Sequence, residues 1–160
     1  MANSNHWTAK HYETLKKAEN FADLLVVAYD IIDSMPKPVS LVSGPISTGG
    51  AGSLEKNLEL FAEAIAHLEM HGENVFDQLP FENKITEFSK DYKGYYMPIL
   101  EDFFLPLFKS GKIAKIWFMP GWETSTGAKW EYEQAEKLGI KGIVFNNINQ
   151  IESTIINVGV

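Results

Sequence analysis

Two glycine-containing segments carry the residues of this 160-residue chain whose types and spacing could do chemistry. The first runs from Ser43 to Ser53 and reads SGPISTGGAGS. Small residues let a backbone approach a ligand closely, and a helix that follows them presents unpaired N–H groups. The segment could therefore cradle a phosphate or a sugar, although a flexible connection would have the same composition. It lacks the Lys-Ser/Thr pair of a Walker loop and the spacing of the dinucleotide fingerprint.

The second segment, Pro120 to Glu131, reads PGWETSTGAKWE and combines hydroxyl side chains with a carboxylate. Its three consecutive hydroxyl residues, 124–126, can cap a helix and contact an anion. Glu131 falls within the first two turns of that helix, where the dipole should favour the ionised form that a nucleophilic or cation-stabilising carboxylate needs. Its spacing from Ala135 and Leu138 directs Glu131 towards the core. The alternative is that Glu131 belongs to one solvated acidic face of the helix.

The remaining candidate side chains have weaker patterns. Asp102 lies on an aromatic-rich helix ahead of the third strand, and a surface acid is the alternative interpretation. His67 and His71 are four residues apart, but no carboxylate motif accompanies them, so we expect a surface pair and no metal site. The absence of cysteine excludes disulfides, thiolate nucleophiles and thiolate zinc sites.

Composition narrows the classes of partner. A formal net charge of −7 argues against binding to a nucleic acid polymer, which needs clustered Lys and Arg. Such a charge does not exclude one small phosphate, because backbone N–H groups at a helix start can hold it. No apolar run is long enough to cross a bilayer, and the N-terminus does not have the pattern of a signal peptide. We therefore expect a cytoplasmic protein with no membrane partner.

Alternating strands and helices must position these segments. Helical spacing over Thr8 to Ser34 predicts an N-terminal helical extension (1–36) that ends at Met35–Pro38, ahead of one α/β domain (37–160). Further helices are predicted over 53–71, 95–108 and 125–138, and an irregular loop over 79–93. Strands are predicted at 39–43, 74–76, 113–119 and 140–145, with a possible fifth at 153–160. This order predicts a doubly wound parallel sheet of four or five strands, with the chemistry in the loops after strands one and three.

Three groups of residues resemble the nucleoside 2-deoxyribosyltransferase superfamily, which includes nucleoside-monophosphate N-glycosidases and short uncharacterised proteins. They are the run Val42–Ile46, Asn57 with its helix, and above all the pattern PGWExSxGAxxExxxA from Pro120 to Ala135. The resemblance covers about residues 39–145 and implies a flavodoxin-like arrangement of the sheet.

The resemblance also implies a reaction and roles for residues. Glu131 would attack the anomeric carbon of a sugar or stabilise its cation, and Asp102 would assist the departing base or the sugar. The substrate would contact Ser43, Gly44, Pro45, Ile46, Ser47, Ser125 and Gly127. The transferases carry Asp where this chain has Ser125 and the monophosphate hydrolases carry Ser, whose hydroxyl can donate to a phosphate that a carboxylate would repel.

These residues favour a hydrolase that cleaves the N-glycosidic bond of a nucleoside 5′-monophosphate without a metal or an organic cofactor. A nucleoside deoxyribosyltransferase and a non-catalytic nucleotide-binding or sensing module remain the alternatives. Relatives in this superfamily generally pair their subunits. The apolar N-terminal helix and the aromatic helix after Gly94 therefore predict a homodimer or an oligomer built from dimers.

Overall fold

The structure, a computed structural model, describes residues 6–145. Its centre is a four-stranded parallel sheet in the order β2-β1-β3-β4. The strands are β1 (Val39–Ser43), β2 (Asn74–Val75), β3 (Lys115–Phe118) and β4 (Lys141–Val144). This strand order confirms the doubly wound, flavodoxin-like α/β arrangement. The possible fifth strand falls outside the described residues.

Six α-helices accompany the sheet within residues 6–145. They are α1 (Ala9–Lys16), α2 (Phe21–Ser34), α3 (Leu54–Met70), α4 (Glu82–Ser89), α5 (Leu105–Lys109) and α6 (Thr126–Leu138). A π-helical segment, Ile99–Phe104, runs directly into α5, and two 3-10 turns lie at Leu79–Phe81 and Trp122–Thr124. No helix of the described part is long and apolar enough to cross a membrane.

The core has one layer on each face of the sheet, because side chains alternate along each strand. Leu41 of β1 joins the side chains of α2 and α5 in one layer, and its neighbour Val42 joins those of α3 in the other. Helices therefore cover both faces, which a parallel sheet whose central strands β1 and β3 are almost wholly buried requires.

The N-terminal extension is two helices, where the sequence pattern predicted one. Asn20 accepts a hydrogen bond from the Asp23 backbone N–H and thereby caps α2, while α1 has already ended at Lys16. The Asn side chain competes for the backbone N–H groups that a continuous helix would need. The α2 side chains of Leu24 and Ile31 are completely buried against their own chain. Much of the apolar surface that motivated the dimer prediction is therefore covered within the monomer.

The segment predicted to be an irregular loop is also helical. After β2 the chain forms the 3-10 turn and then α4 over most of residues 79–89. Phe81 is completely buried, and its ring contacts the rings of Trp7, Phe76 and Phe103. Burial of this aromatic ring fixes a segment whose own sequence is polar and weakly patterned.

The aromatic helix begins later than its spacing predicted, at Ile99. Its first six residues are π-helical, and the π segment ends just before Pro106, which lies in the first turn of α5. Proline removes a backbone donor, so a regular α-helical pattern cannot continue through it unchanged. Phe103 and Phe104 are buried by this segment, whereas Glu101 and Asp102 are exposed.

Candidate functional site

The two glycine-containing segments meet at the carboxyl edge of the sheet. β1 and β3 are neighbours in register from Ser40↔Lys115 to Ser43↔Phe118, so the loops that follow them start side by side. The loops are joined by hydrogen bonds from the Thr126 N–H to Thr48 Oγ1 (3.0 Å) and from the Gly50 N–H to Thr124 Oγ1 (2.7 Å). The prediction that these two loops lie together is confirmed.

The far half of the first loop has a packing role. Gly49 and Gly50 have φ values of +68° and +64°, and a Cβ at either would come within 2.6 Å of Thr124 or Asn57 atoms. The buried Asn57 side chain donates to the carbonyls of Ile46 and Gly49 and accepts from the Ala51 N–H. These glycines therefore serve close packing between the loops, and the near half of the loop is left to face a ligand.

A cavity of about 360 Å³ opens between the two loops and the segment 78–104. This volume is at the lower end of the range of small-molecule sites. Seven of the predicted site residues line it: Ser43, Gly44, Ile46, Ser47, Ser125, Gly127 and Glu131. Pro45 instead lines a separate apolar cleft of about 330 Å³ beside Asn57. The structure does not bring Asp102 to the cavity, because the π-helical segment turns it towards solvent.

Glu131 lies in the second turn of α6 with 6% of its surface exposed. It does not belong to a solvated acidic face. Burial raises the pKa of Glu131 to about 8, and the neighbouring Ser43 hydroxyl only partly opposes this shift. The expectation that the helix dipole would keep the carboxyl ionised is wrong, because the loss of hydration on burial outweighs the dipole. Burial therefore favours the protonated acid over the ionised form.

Three buried polar atoms around the cavity lack a well-formed hydrogen bond within the described residues: Ser43 Oγ, Gln78 Oε1 and Glu131 Oε2, although the Ser43 hydroxyl is close enough to Glu131 to affect its pKa. The other end of Gln78 is fixed, since its Nε2 donates to the Val42 carbonyl at 2.9 Å. Buried polar groups in folded proteins are almost always paired, so unpaired ones that converge on one cavity indicate the place of a polar ligand.

The third wall of the cavity, formed by residues 78–104, supplies side chains that the sequence patterns did not indicate. Glu82, at the start of α4, lines the cavity, and burial raises its pKa to about 7. Burial, together with the charges of Glu131 and Glu82, raises the pKa of the Tyr95 hydroxyl well above its ordinary value. A Cβ on Gly127 would lie 2.5 Å from Tyr95 Oη, so the glycine one turn before Glu131 makes room for this hydroxyl.

Of the unpredicted cavity residues Gln78, Glu82 and Tyr95, only Gln78 could have been found from the sequence. Gln78 follows β2, and the carboxyl ends of all parallel strands lie at one edge, so the loop after strand two belongs with the other two loops. Glu82 and Tyr95 had none, because only the packing of Phe81 and of the π-helical segment determines where they point.

The start of α6 offers donors to a ligand. The Ser125 hydroxyl accepts from the Ala128 N–H at 3.1 Å and keeps its own proton free to donate. The Gly127 N–H lies in the first turn, where a helix leaves its backbone donors unpaired. Within the described residues no Lys, Arg or His lines the cavity, so these donors and the hydroxyls of Ser47 and Thr48 must serve any anion.

Aromatic rings surround the outer part of the cavity. Tyr92, Tyr95 and Tyr96 all line it, and the rings of Tyr92 and Tyr96 lie 5.0 Å apart at a tilt. Tyr92 is 53% exposed, and Leu54, which follows the first loop, is 50% exposed. Exposed aromatic and apolar side chains at the mouth of a polar cavity suit a flat, weakly polar group such as a nucleobase.

Other motif residues have structural roles. Trp122 stacks on Tyr132 with ring centroids 4.6 Å apart, and Trp130 stacks on Phe108. His71 is bonded through Nδ1 to the His67 carbonyl, so the two histidines do not present their rings to a common ion. Across residues 6–145, no group of three or more His, Asp or Glu side chains is arranged to hold a metal ion.

One of three comparisons with known proteins found a match. No curated protein and no solved structure matches the chain. A family model, the domain of unknown function DUF4406, matches residues 39–145, from the first residue of β1 to the residue after β4. This match spans every strand of the sheet, both loops and Glu131. The chain therefore belongs to the DUF4406 family.

Proposed function

We propose that the protein cleaves the N-glycosidic bond of a nucleoside 5′-monophosphate, with Glu131 as the carboxylate that faces the anomeric carbon. The observation that carries this proposal is the convergence on one cavity of Ser43 Oγ, Gln78 Oε1 and Glu131 Oε2, which are all buried and lack a well-formed hydrogen bond within the described residues. A sugar supplies the hydroxyl groups that such acceptors and donors would bind. The resemblance to the nucleoside 2-deoxyribosyltransferase superfamily supports the same assignment.

The cavity offers a place for each part of such a substrate. The Ser125 hydroxyl and the Gly127 N–H at the start of α6 would hold the phosphate, and the hydroxyls of Ser47 and Thr48 would add to them. The tyrosine rings at the mouth would flank the base. No cationic side chain of residues 6–145 lines the cavity, but burial raises the pKa of both Glu131 and Glu82, and this reduces their repulsion of the phosphate before the reaction.

The proposed reaction requires the ionised form of Glu131. As the bond from the anomeric carbon to the base nitrogen breaks, its electron pair leaves with the base and the sugar becomes cationic. A carboxylate in a water-poor cavity stabilises that cation strongly, either as an ion pair or as a glycosyl ester that water then hydrolyses. Glu131 therefore gives its proton to solvent water at the mouth of the cavity before the bond breaks, and the growing positive charge on the sugar then stabilises the carboxylate.

Release of free base from a panel of purine and pyrimidine 5′-monophosphates, with ribose and with 2-deoxyribose, tests the proposal. We expect base release by the wild-type protein and a loss of about 10³-fold or more in Glu131→Gln, which keeps the shape and removes the charge. Glu133→Gln is the matched control, because Glu133 is exposed two residues further along α6. A Glu131→Gln protein that keeps more than a tenth of the wild-type rate would remove Glu131 from the mechanism.

The same panel separates the two alternatives. A second free base added to the mixture is incorporated by a transferase and ignored by a hydrolase. Tight binding of a nucleotide without release of base would replace the enzymatic proposal with a nucleotide-binding module.

A further inference from the structure

The cavity holds a second acid that the family resemblance does not assign. Glu82 is the first residue of α4 and makes no hydrogen bond or ion pair with any described residue. Its backbone position is well fixed. The buried Phe81 precedes it, the Asp77 carboxylate accepts from the Leu79 N–H at 2.9 Å, and Gln78 is bonded to β1. A carboxyl that is unpaired, held by an anchored turn and turned into a cavity is poised to act on a ligand.

Glu82 and Glu131 come from different walls, and Tyr95 links them. The ring of Tyr95 lies where both carboxyl charges act on its hydroxyl, and that hydroxyl packs against Gly127, one turn before Glu131. The three side chains therefore share one space beneath the aromatic mouth. Burial and the two carboxyl charges raise the pKa of the Tyr95 hydroxyl, so it is a weaker acid than Glu82 and is placed to orient a ligand between the two acids.

Cleavage of an N-glycosidic bond is assisted by an acid that protonates the base, in addition to a carboxylate beneath the sugar. A departing base takes the bonding electron pair on nitrogen, and a proton delivered to that base stabilises the pair. Asp102, to which the resemblance gives this role, points to solvent. Among residues 6–145, Glu82 is the other carboxyl, besides Glu131, that lines the cavity.

Resting on the function proposed above, we propose that Glu82 is the general acid that protonates the departing base. The bond from the anomeric carbon to nitrogen breaks, the electron pair moves to the base, and the Glu82 proton passes to a base nitrogen. The carboxylate of Glu82 then takes a proton from the water that adds to the anomeric carbon. The products are the free base and the sugar phosphate, and Glu82 regains its acid form.

A leaving group that needs no proton tests this role. The base of a 7-methylguanine nucleotide carries a positive charge and departs as a neutral molecule, whereas guanine must be protonated. In Glu82→Gln we expect the turnover of the guanine 5′-monophosphate to fall about 10²- to 10⁴-fold, and that of the 7-methylguanine 5′-monophosphate to fall less than tenfold. Glu82→Asp, which keeps an acid, should recover part of the guanine rate. Both the ribo- and the 2′-deoxyribonucleotides are assayed.

One control variant and three possible outcomes decide whether the proposal stands. Glu87→Gln changes an exposed acid on the same helix and should alter neither rate by more than twofold. Equal losses of Glu82→Gln on both nucleotides would overturn the acid role while the glycosidase proposal stands. Selective loss in Asp102→Asn and not in Glu82→Gln would return the role to Asp102. If the wild-type protein releases base from neither nucleotide, the proposed function and the role of Glu82 fall together.

Discussion

The buried carboxyl of Glu131 should make the folded protein less stable as the pH rises. Its pKa is raised from 4.5 to about 8, so between these values the folded state holds a proton that the unfolded state has released. The contribution of Glu131 to stability is therefore most favourable below pH 4.5, falls as the pH rises through this window, and is least favourable above pH 8. Glu131→Gln removes the group and should abolish this part of the pH dependence.

The size of this effect on the free energy of unfolding follows from the raised pKa of Glu131. A change of about 3.5 units, from 4.5 to about 8, corresponds at about 1.4 kcal/mol per unit to an upper limit of about 5 kcal/mol. Water that enters the cavity and relaxation of the side chain reduce such penalties, so we expect a difference of about 2–4 kcal/mol. Because ordinary domains are stable by only about 5–15 kcal/mol, an effect of this size is large.

The assay is the free energy of unfolding in urea at pH 5, 7 and 9 for the wild-type protein and Glu131→Gln. We expect similar values at pH 5 and a more stable variant at pH 9. The other titratable groups of the cavity, Glu82 and the three tyrosines, remain in both proteins, so their contributions cancel in the comparison.

Glu133→Gln supplies the matched control, since it removes a charge from the exposed face of the same helix. Its pH profile should run parallel to that of the wild-type protein. If the wild-type and Glu131→Gln profiles are parallel as well, Glu131 does not titrate as a buried acid, and the account of the cavity as a water-poor site is refuted.

Three further predictions follow from the loops and the surface. Ser125→Asp should lower the rate on monophosphates far more than on nucleosides, because it places a carboxylate beside the phosphate position; kcat/KM for both substrates measures this. Gly127→Ala should lower activity, because its methyl group would meet Tyr95 Oη at 2.5 Å, and Tyr95→Phe in the same protein should relieve the clash and restore the melting temperature. Light scattering at micromolar concentration should give the mass of a dimer or of an oligomer of dimers, and Val26→Lys, on the exposed side of α2, should weaken it if that helix forms the interface.

A specific outcome would contradict each of these three predictions. Equal losses of Ser125→Asp on both substrates would mean that the hydroxyl does not lie at the phosphate. A Gly127→Ala protein with unchanged activity and melting temperature would show that Tyr95 moves without consequence. The mass of a single chain in solution would end the dimer prediction.

The sequence alone determined the architecture and the two main loops. Strand and helix periodicities are local properties, and their alternation leaves a parallel sheet with helices on both faces as the way to bury the strands. Since the carboxyl ends of adjacent parallel strands share one edge, the loops holding Ser43 and Ser125 could be placed together before any contact was known. Glu131 was directed inward by its spacing from Ala135, and the structure buries it.

Tertiary packing decided what the local pattern could not. Two helices formed at the N-terminus because the Asn20 side chain competes with the backbone, and α2 covers the core of its own chain. Burial of Phe81 turned a polar segment into α4 and carried Glu82 into the cavity, while the π-helical segment turned Asp102 out. Tertiary packing also determines the pKa of Glu131. A dipole argument uses only the position along one helix, but the pKa depends on how much water the surrounding segments leave around the carboxyl.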